Sequence, residues 1–407
     1  MLSFADTLTE QKNTHMTHIE DKVLYGGVKG TRQAIFALRD LRDMLGGKKE
    51  GSVSVKWDGA PAIFAGIDPR DGQFFVAKKG IFNKNPKVYK TNAEIDADTS
   101  GDLSAKLKDA LKYLPALDIK GVIQGDFLFG RGDLSTETID GQKYVTFHPN
   151  TIVYAVPYEQ SAVIRRAKIG IVWHTTYTGR TFETMKASYG VNVKALKKSS
   201  NVWSQDAMLR NLTSATMTKR ETEDVNETLA EIGRIFNQIS GSTLRELEGN
   251  QTLAQHIETY NNTFVRKGEI IGNTVAHTEK LIRWIKSKYG KEIAQRKTQA
   301  GKTSQRQKRD ELLNFFSLKN KVNLIQMFEL QKLIVTAKLK LINKLNKLGN
   351  VDTFVKTRKG FKVTGAEGFV AVDRLGGDAV KIVDRMEFSY NNFSPDILKG
   401  WDKPTRK

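Results

Sequence analysis

Apolar positions along the chain change period three times, and each change predicts a different kind of element. Near the start Thr31 reads as an N-cap, Ile35, Leu38, Leu41 and Leu45 recur at helical spacing, and Gly46-Gly47 ends the run. From about Gly51 the pattern shortens to alternating stretches at 52–55, 62–64, 73–76, 121–123, 151–154 and 170–173, separated by turn residues. Period-two alternation of this kind predicts strands with one buried face. From about 202 to 349 a 3.6-residue spacing returns, in Leu229, Ile232, Ile235, Phe236 and Ile239, then over 277–293 and 312–348. Strand-like runs resume at 361–363, 368–372 and 379–383.

Strands on both sides of a helical block place that block inside one β-rich domain. The expected class is α+β with mainly antiparallel sheets. Its parts are a helical segment over 1–50, a β-rich part over 51–200, a helical insertion over 201–349, and final strands with a tail over 350–407. No internal repeat is present.

Composition narrows the functional classes. With 39% apolar and 9% aromatic residues over 407 positions, the chain has the make-up of a globular protein. Sixty-five Lys and Arg against 45 Asp and Glu leave a net charge of +20, which favours a polyanionic partner. The absence of cysteine excludes disulfides, Cys-ligated zinc, iron–sulfur clusters and thiol nucleophiles. The first residues lack the basic and apolar regions of a signal peptide, and the apolar stretch near 330–348 is interrupted by Lys332, Lys338, Lys340, Lys344 and Lys347. The expectation is a cytoplasmic protein with no membrane partner.

Candidate chemistry begins at Lys56-Trp57-Asp58-Gly59, at the end of an alternating run and followed by Ala60-Pro61. A lysine at a strand end beside a turn acts as a nucleophile where burial or neighbouring cations, here Lys78 and Lys79, favour the neutral amine. Alone, the tetrapeptide reads equally as a surface turn. It is followed by Phe75-Val76-Ala77-Lys78-Lys79-Gly80, Val122-Ile123-Gln124-Gly125-Asp126, Gly170-Ile171-Val172-Trp173-His174, Glu367-Gly368-Phe369-Val370-Ala371-Val372 and Val380-Lys381-Ile382-Val383-Asp384-Arg385.

In this order the segments resemble the motif series of the covalent nucleotidyltransferases: ATP-dependent DNA ligases, RNA ligases and mRNA capping enzymes. The resemblance implies an ATP-grasp-like ligase domain of antiparallel sheets with flanking helices, using ATP and Mg2+ (or Mn2+). It makes Lys56 the nucleophile that becomes a lysyl-AMP, with Asp58 and Gly59 shaping its turn. Lys78 or Lys79 would touch phosphate or ribose, and Asp126 stands where the family has a ribose-binding glutamate. Trp173 matches the aromatic that stacks on the base, with Tyr154 as the competing platform. Glu367, with Asp126, would lie at the divalent metal. Lys381 would contact the α-phosphate, with Arg385 the next available cation. Only 22 residues follow Arg385, too few for the OB domain of DNA ligases and capping enzymes, which tilts the resemblance toward bacteriophage RNA-ligase-type enzymes.

The helical block carries eleven Lys or Arg and two acidic residues between Lys280 and Asp310. Lys286, Lys288, Arg296, Lys297, Arg306, Lys308 and Arg309 are its candidate nucleic-acid contacts. Trp284 and Tyr289 fit either base stacking or a buried helix face, and 299–307 reads alternatively as a linker. His15 and His18 read as surface residues, and His148 and His277 as structural ones. The leading expectation is a monomeric ATP-dependent ligase joining 3′-hydroxyl and 5′-phosphate ends of RNA, DNA or both. The alternatives are a GTP-dependent capping-type transferase and a non-catalytic nucleic-acid-binding protein.

Overall fold

Helix α1 (Gly27–Leu45) turns Ala34, Ile35, Leu38, Leu41 and Leu45 inward and ends at Gly46, as its apolar spacing predicts. It begins four residues earlier than Thr31, whose hydroxyl bonds back to the Gly27 carbonyl at 2.7 Å inside the helix instead of capping it. The computed structural model describes residues 17–47, 53–209, 217–348, 351–372 and 379–401. After α1 come strands β1 (Val53–Lys56), β2 (Ala62–Ile67) and β3 (Phe74–Ala77), then helices α2 (Asn92–Asp98) and α3 (Gly101–Tyr113). Four strands follow: β4 (Val122–Gly130), β5 (Ser135–Ile139), β6 (Gln142–Phe147) and β7 (Ile152–Pro157). Short α4 (Ala162–Arg166) leads into β8 (Ile169–Thr178), β9 (Lys186–Tyr189), β10 (Val202–Asp206) and β11 (Met208–Leu209).

The helical block comprises α5 (Lys219–Gln238), α6 (Gly241–Gly249), α7 (Gln251–Val265), α8 (Thr274–Gln295), α9 (Gln299–Leu313) and α10 (Lys321–Leu345). The chain closes with β12 (Asp352–Thr357), β13 (Gly360–Val363), β14 (Gly368–Val372), β15 (Ala379–Ile382), α11 (Arg385–Phe393) and β16 (Ile397–Leu398). The helices start at Lys219 and not at 201, because Thr218 and Glu221 form a reciprocal capping box there and 202–209 is extended. Residues 299–313 are helical, so the linker alternative does not hold.

Three sheets organise the strands, in the orders β11-β1-β14-β15, β10-β8-β4-β2-β3 with β9 beside β8, and β13-β12-β7-β6-β5 with β16 beside β12. Every pairing in the first and third is antiparallel, and in the second only β10 runs parallel to its neighbour, β8. The architecture is thus α+β.

The first sheet positions the site. Alternation sends Val53, Phe369, Ala371, Val380 and Ile382 to one face, where they join Leu38, Leu41, Leu229, Phe328, Ile334 and Leu341 in one continuous core. The helical block is therefore not a separate body: its interior and the back of the first sheet are the same hydrophobic cluster. Burying each of these side chains except the small Ala371 contributes about 1.5–3 kcal/mol. The opposite face carries Ser54 and Lys56 of β1, Gly368 and Val370 of β14, and Lys381 of β15.

One ionic knot lies inside this core region. Lys338 of α10, 1% exposed, donates to both carboxylate oxygens of Glu20 at 2.8 and 2.9 Å. Arg385 bonds Asp21 at 2.8 Å and also donates to Asn262 of α7. Among the described residues no helix is long and apolar enough to cross a membrane.

Candidate active site

The Lys56-to-Pro61 turn carries the chain from the first sheet to the second. On one side Val55 N–H bonds Ala207 O at 2.8 Å; on the other, Ala60 N–H bonds Phe127 O and Phe127 N–H bonds Pro61 O, both at 3.0 Å. Gly59 is required by close approach: a Cβ there would meet the Asp126 Cβ at 2.5 Å and the Phe127 carbonyl at 3.0 Å. The turn thus presses Lys56 and Asp126, 70 residues apart in the chain, toward one place.

Lys56 stands opposite Gly368 in the ladder, so Glu367 falls beside it and forms an ion pair with its ammonium. The Lys56 side chain keeps 28% of its surface exposed while Glu367 keeps 9%, giving a reactive group open to solvent and a partner largely shielded from it. The loop that holds Glu367 is itself fixed by Glu387 of α11, whose carboxylate accepts from Thr364 Oγ1 at 2.7 Å and Gly365 N–H at 2.9 Å. Burial pushes the Glu367 carboxyl up to about 7, even though the Lys56 charge opposes the shift. Lys381 is half-buried on the same sheet face, and burial with the Lys56 charge lowers its affinity for a proton.

From the second sheet come Asp126 on β4 and His174 on β8, with His174 Nε2 3.8 Å from Asp126 Oδ2. Burial raises the Asp126 carboxyl to about 7, with Lys56 and Lys79 opposing and Asp58 reinforcing. Burial and the field of Lys56 hold His174 down at about 4, so it is a neutral imidazole at pH 7. Lys56, Glu367, Lys381, Asp126, His174 and Lys79 therefore form one electrostatic constellation between two sheets.

Other expected residues lie elsewhere. Trp173 is fully buried, packs with Ile123, Phe127 and Ile171 beneath the sheet, and donates its indole N–H to Ser204 Oγ at 2.8 Å. It is a core residue and not a base platform. Tyr154 is equally unsuitable: 2% exposed, stacked on Phe147, its hydroxyl accepting the Asp58 N–H at 2.6 Å. Adjacent strand residues face opposite ways, so burying Trp173 is what turns His174 toward Asp126.

Arg385 is engaged by Asp21, Glu20 and Asn262, within the ionic knot and not in the Lys56 constellation. Lys78 pairs with Asp98 at 3.1 Å, so of these two lysines it is exposed Lys79 whose charge acts on Asp126, beside that of Lys56. Asp58 is buried, and its carboxylate accepts from Asn150 Nδ2 and from the backbone of Thr151 and Ile152 at 2.6–2.9 Å. These bonds fix the turn against β7, and the Asp58 charge still bears on Asp126 and Glu367.

The remaining histidines are structural. His18 is half-buried, its backbone forms a bridge to Lys381, and burial lowers its pKa to about 3, so it is not the freely exposed residue expected. His148 contacts the Thr151 carbonyl and His277 the Asn261 side chain. His15 lies outside the described residues.

On the helical block Lys286, Arg296, Lys297, Arg306 and Lys308 are exposed. Lys288 lies over the Trp284 ring at 5.1 Å and Arg309 pairs with Asp310. Tyr289 is buried against His256 and Trp284 packs on the helical core, so these aromatics belong to the helix interior.

The donor set suits a hard divalent cation. Magnesium typically uses one or two protein carboxylates and completes its sphere with water and substrate phosphate oxygens. Glu367 and Asp126 supply two carboxyls whose raised proton affinity a cation would reverse. Among the described residues no group of three or more His, Asp or Glu gathers as a self-sufficient metal cage.

No curated protein and no solved structure matches the chain. Residues 13–396 match a family of unknown function, DUF6267, and the protein belongs to that family.

Proposed function

We propose that the protein is an ATP-dependent polynucleotide ligase that joins 3′-hydroxyl and 5′-phosphate ends through a lysyl-AMP. The observation that carries this reading is the placement of Lys56 against Glu367 and beside Lys381 on one sheet face, opposite Asp126 and His174 of the next sheet. Transfer at phosphorus needs a positioned nucleophile and neutralisation of developing charge, and this set supplies both.

In the first step the neutral Lys56 amine attacks the α-phosphorus of ATP. The N–P bond forms, the bond to the bridging oxygen breaks, and pyrophosphate leaves. The proton of the attacking amine is lost to water, to which the Lys56 side chain is open. Lys381 and Lys79 offset charge on the phosphates. A magnesium or manganese ion bound by Glu367 and Asp126 would add charge neutralisation at the α-phosphate and leaving group. A 5′-phosphate oxygen then displaces Lys56 from phosphorus, and the 3′-hydroxyl displaces AMP. With Trp173 buried, His174 is the ring available to lie against the nucleoside.

Incubation with magnesium and α-labelled ATP, followed by denaturing electrophoresis, tests the reading. Wild type should carry label and Lys56→Ala none. Label from GTP alone would move the assignment to capping chemistry, and no label from AMP-free protein would overturn it.

A further inference from the structure

A second basic feature lies away from the helical block. The edge strand β10, the 193–199 segment, α4 and β7 enclose an open groove of about 610 Å³, lined by Val156, Ile164, Lys194, Lys197, Lys198 and Trp203 among others. Its floor is apolar and aromatic. Trp203 is half-buried there, and Val163 of α4 stays 53% exposed at the groove wall, an apolar side chain with no covering partner among the described residues.

Its rim is cationic. Lys194, Lys197 and Lys198 line it and are exposed; Arg165 and Arg166 are exposed nearby on α4, where Arg165 lies over the Tyr158 ring. The two rim segments are neighbours, since Lys168 N–H bonds Asn201 O at 2.8 Å. Against six Lys and Arg, residues 159–168 and 193–206 hold only Glu159 and Asp206 as acids. Among the described residues Lys194 and Lys198 have no ion-pair partner, while Lys197 shares Asp118 at 3.2 Å.

We propose that this groove binds single-stranded polynucleotide, with phosphates along Lys194, Lys197 and Lys198 and a base against Trp203. A cationic track beside an aromatic platform is the combination that holds single strands without base-edge readout. The basic face of α8 and α9 lacks it, because Trp284 and Tyr289 are committed to the helix interior. The groove also adjoins the reactive turn: Trp203 meets Trp57, the residue after Lys56, edge to face at 6.3 Å. The choice of a polynucleotide as the polyanion rests on the ligase reading, but binding and adenylylation are separate readouts.

The test is fluorescence anisotropy of a labelled single-stranded 20-nucleotide RNA and its DNA counterpart across a salt series. The proteins compared are wild type, the Lys194→Gln/Lys197→Gln/Lys198→Gln triple, and an Arg306→Gln/Lys308→Gln/Arg309→Gln triple. Removing three phosphate contacts should weaken binding about 10- to 100-fold at 0.1 M salt and reduce the log–log salt slope by about 2. Adenylylation of Lys56 and the melting temperature of the groove triple should stay at wild-type values. Wild-type binding by the groove triple, or loss only in the helical triple, overturns the proposal. Loss of binding in the groove triple from a protein that takes no label from ATP would leave the groove standing and remove the ligase reading instead.

Discussion

Glu367 and Asp126 hold protons near neutrality, and this sets how the site responds to pH. In an unfolded chain both would ionise near 4, whereas in the fold burial raises each to about 7. A folded-state pKa above the unfolded value means stability that is complete below about 4 and lost as pH rises through about 7. Asp126→Asn should therefore stabilise the protein by roughly 1–3 kcal/mol at pH 8, with no gain at pH 4, while lowering adenylylation about 100-fold or more. Thermal melts at the two pH values check the sign; an equal melting temperature at pH 8 would contradict it. Neighbouring Trp173 and His174 separate in the same way. Trp173→Phe, which loses the Ser204 hydrogen bond and core volume, should cost about 1–3 kcal/mol of stability and leave nucleotide affinity intact. His174→Ala should weaken nucleotide binding with little change in melting, measured by calorimetry and by thermal denaturation respectively.

Which of these two residues faces the site was not legible from their order in the chain. β4 and β8 shift register between Gln124 and Gly125 and again between Phe127 and Phe129, so facing positions cannot be counted through from either end. Lys56, Glu367 and Lys381 were singled out by the order of the motif series, and the structure brings Lys56 and Glu367 into contact and puts Lys381 on the same sheet face because each lies in or beside a short regular strand. Strands β5 and β9 went unread for the opposite reason: their residues are mostly exposed and polar, leaving no hydrophobic period. The engagement of Arg385 was not legible because its partners lie at 20, 21 and 262, beyond any local window. The elements around that arginine make a prediction of their own. Burial disfavours the Glu20 charge, but Lys338, His18 and Arg385 more than offset it and hold the carboxyl low. Lys338→Met leaves that carboxylate buried without its main partner and should cost about 3–5 kcal/mol. Adding Glu20→Gln should recover part of the loss in urea denaturation; no recovery would show that the pair is not the unit being broken.

At the scale of the molecule, the helices and the reactive sheet share one hydrophobic core. Excising 219–345 and closing the gap should expose the back of β1, β14 and β15 and yield aggregated protein without adenylylation, checked by size-exclusion chromatography and the ATP-label assay. A soluble, active remnant would contradict the shared core. The first sheet carries its chemistry on one face and its anchorage on the other, and this bears on how such proteins could be recombined. A chimera that exchanged only the helices between two relatives would put a foreign surface against Val53, Phe369, Ala371, Val380 and Ile382, and any misfit would displace the Lys56 amine through a strand four residues long. The exchangeable unit is therefore the helices together with the strand residues they grip, so the helical block and the first sheet must diversify in step.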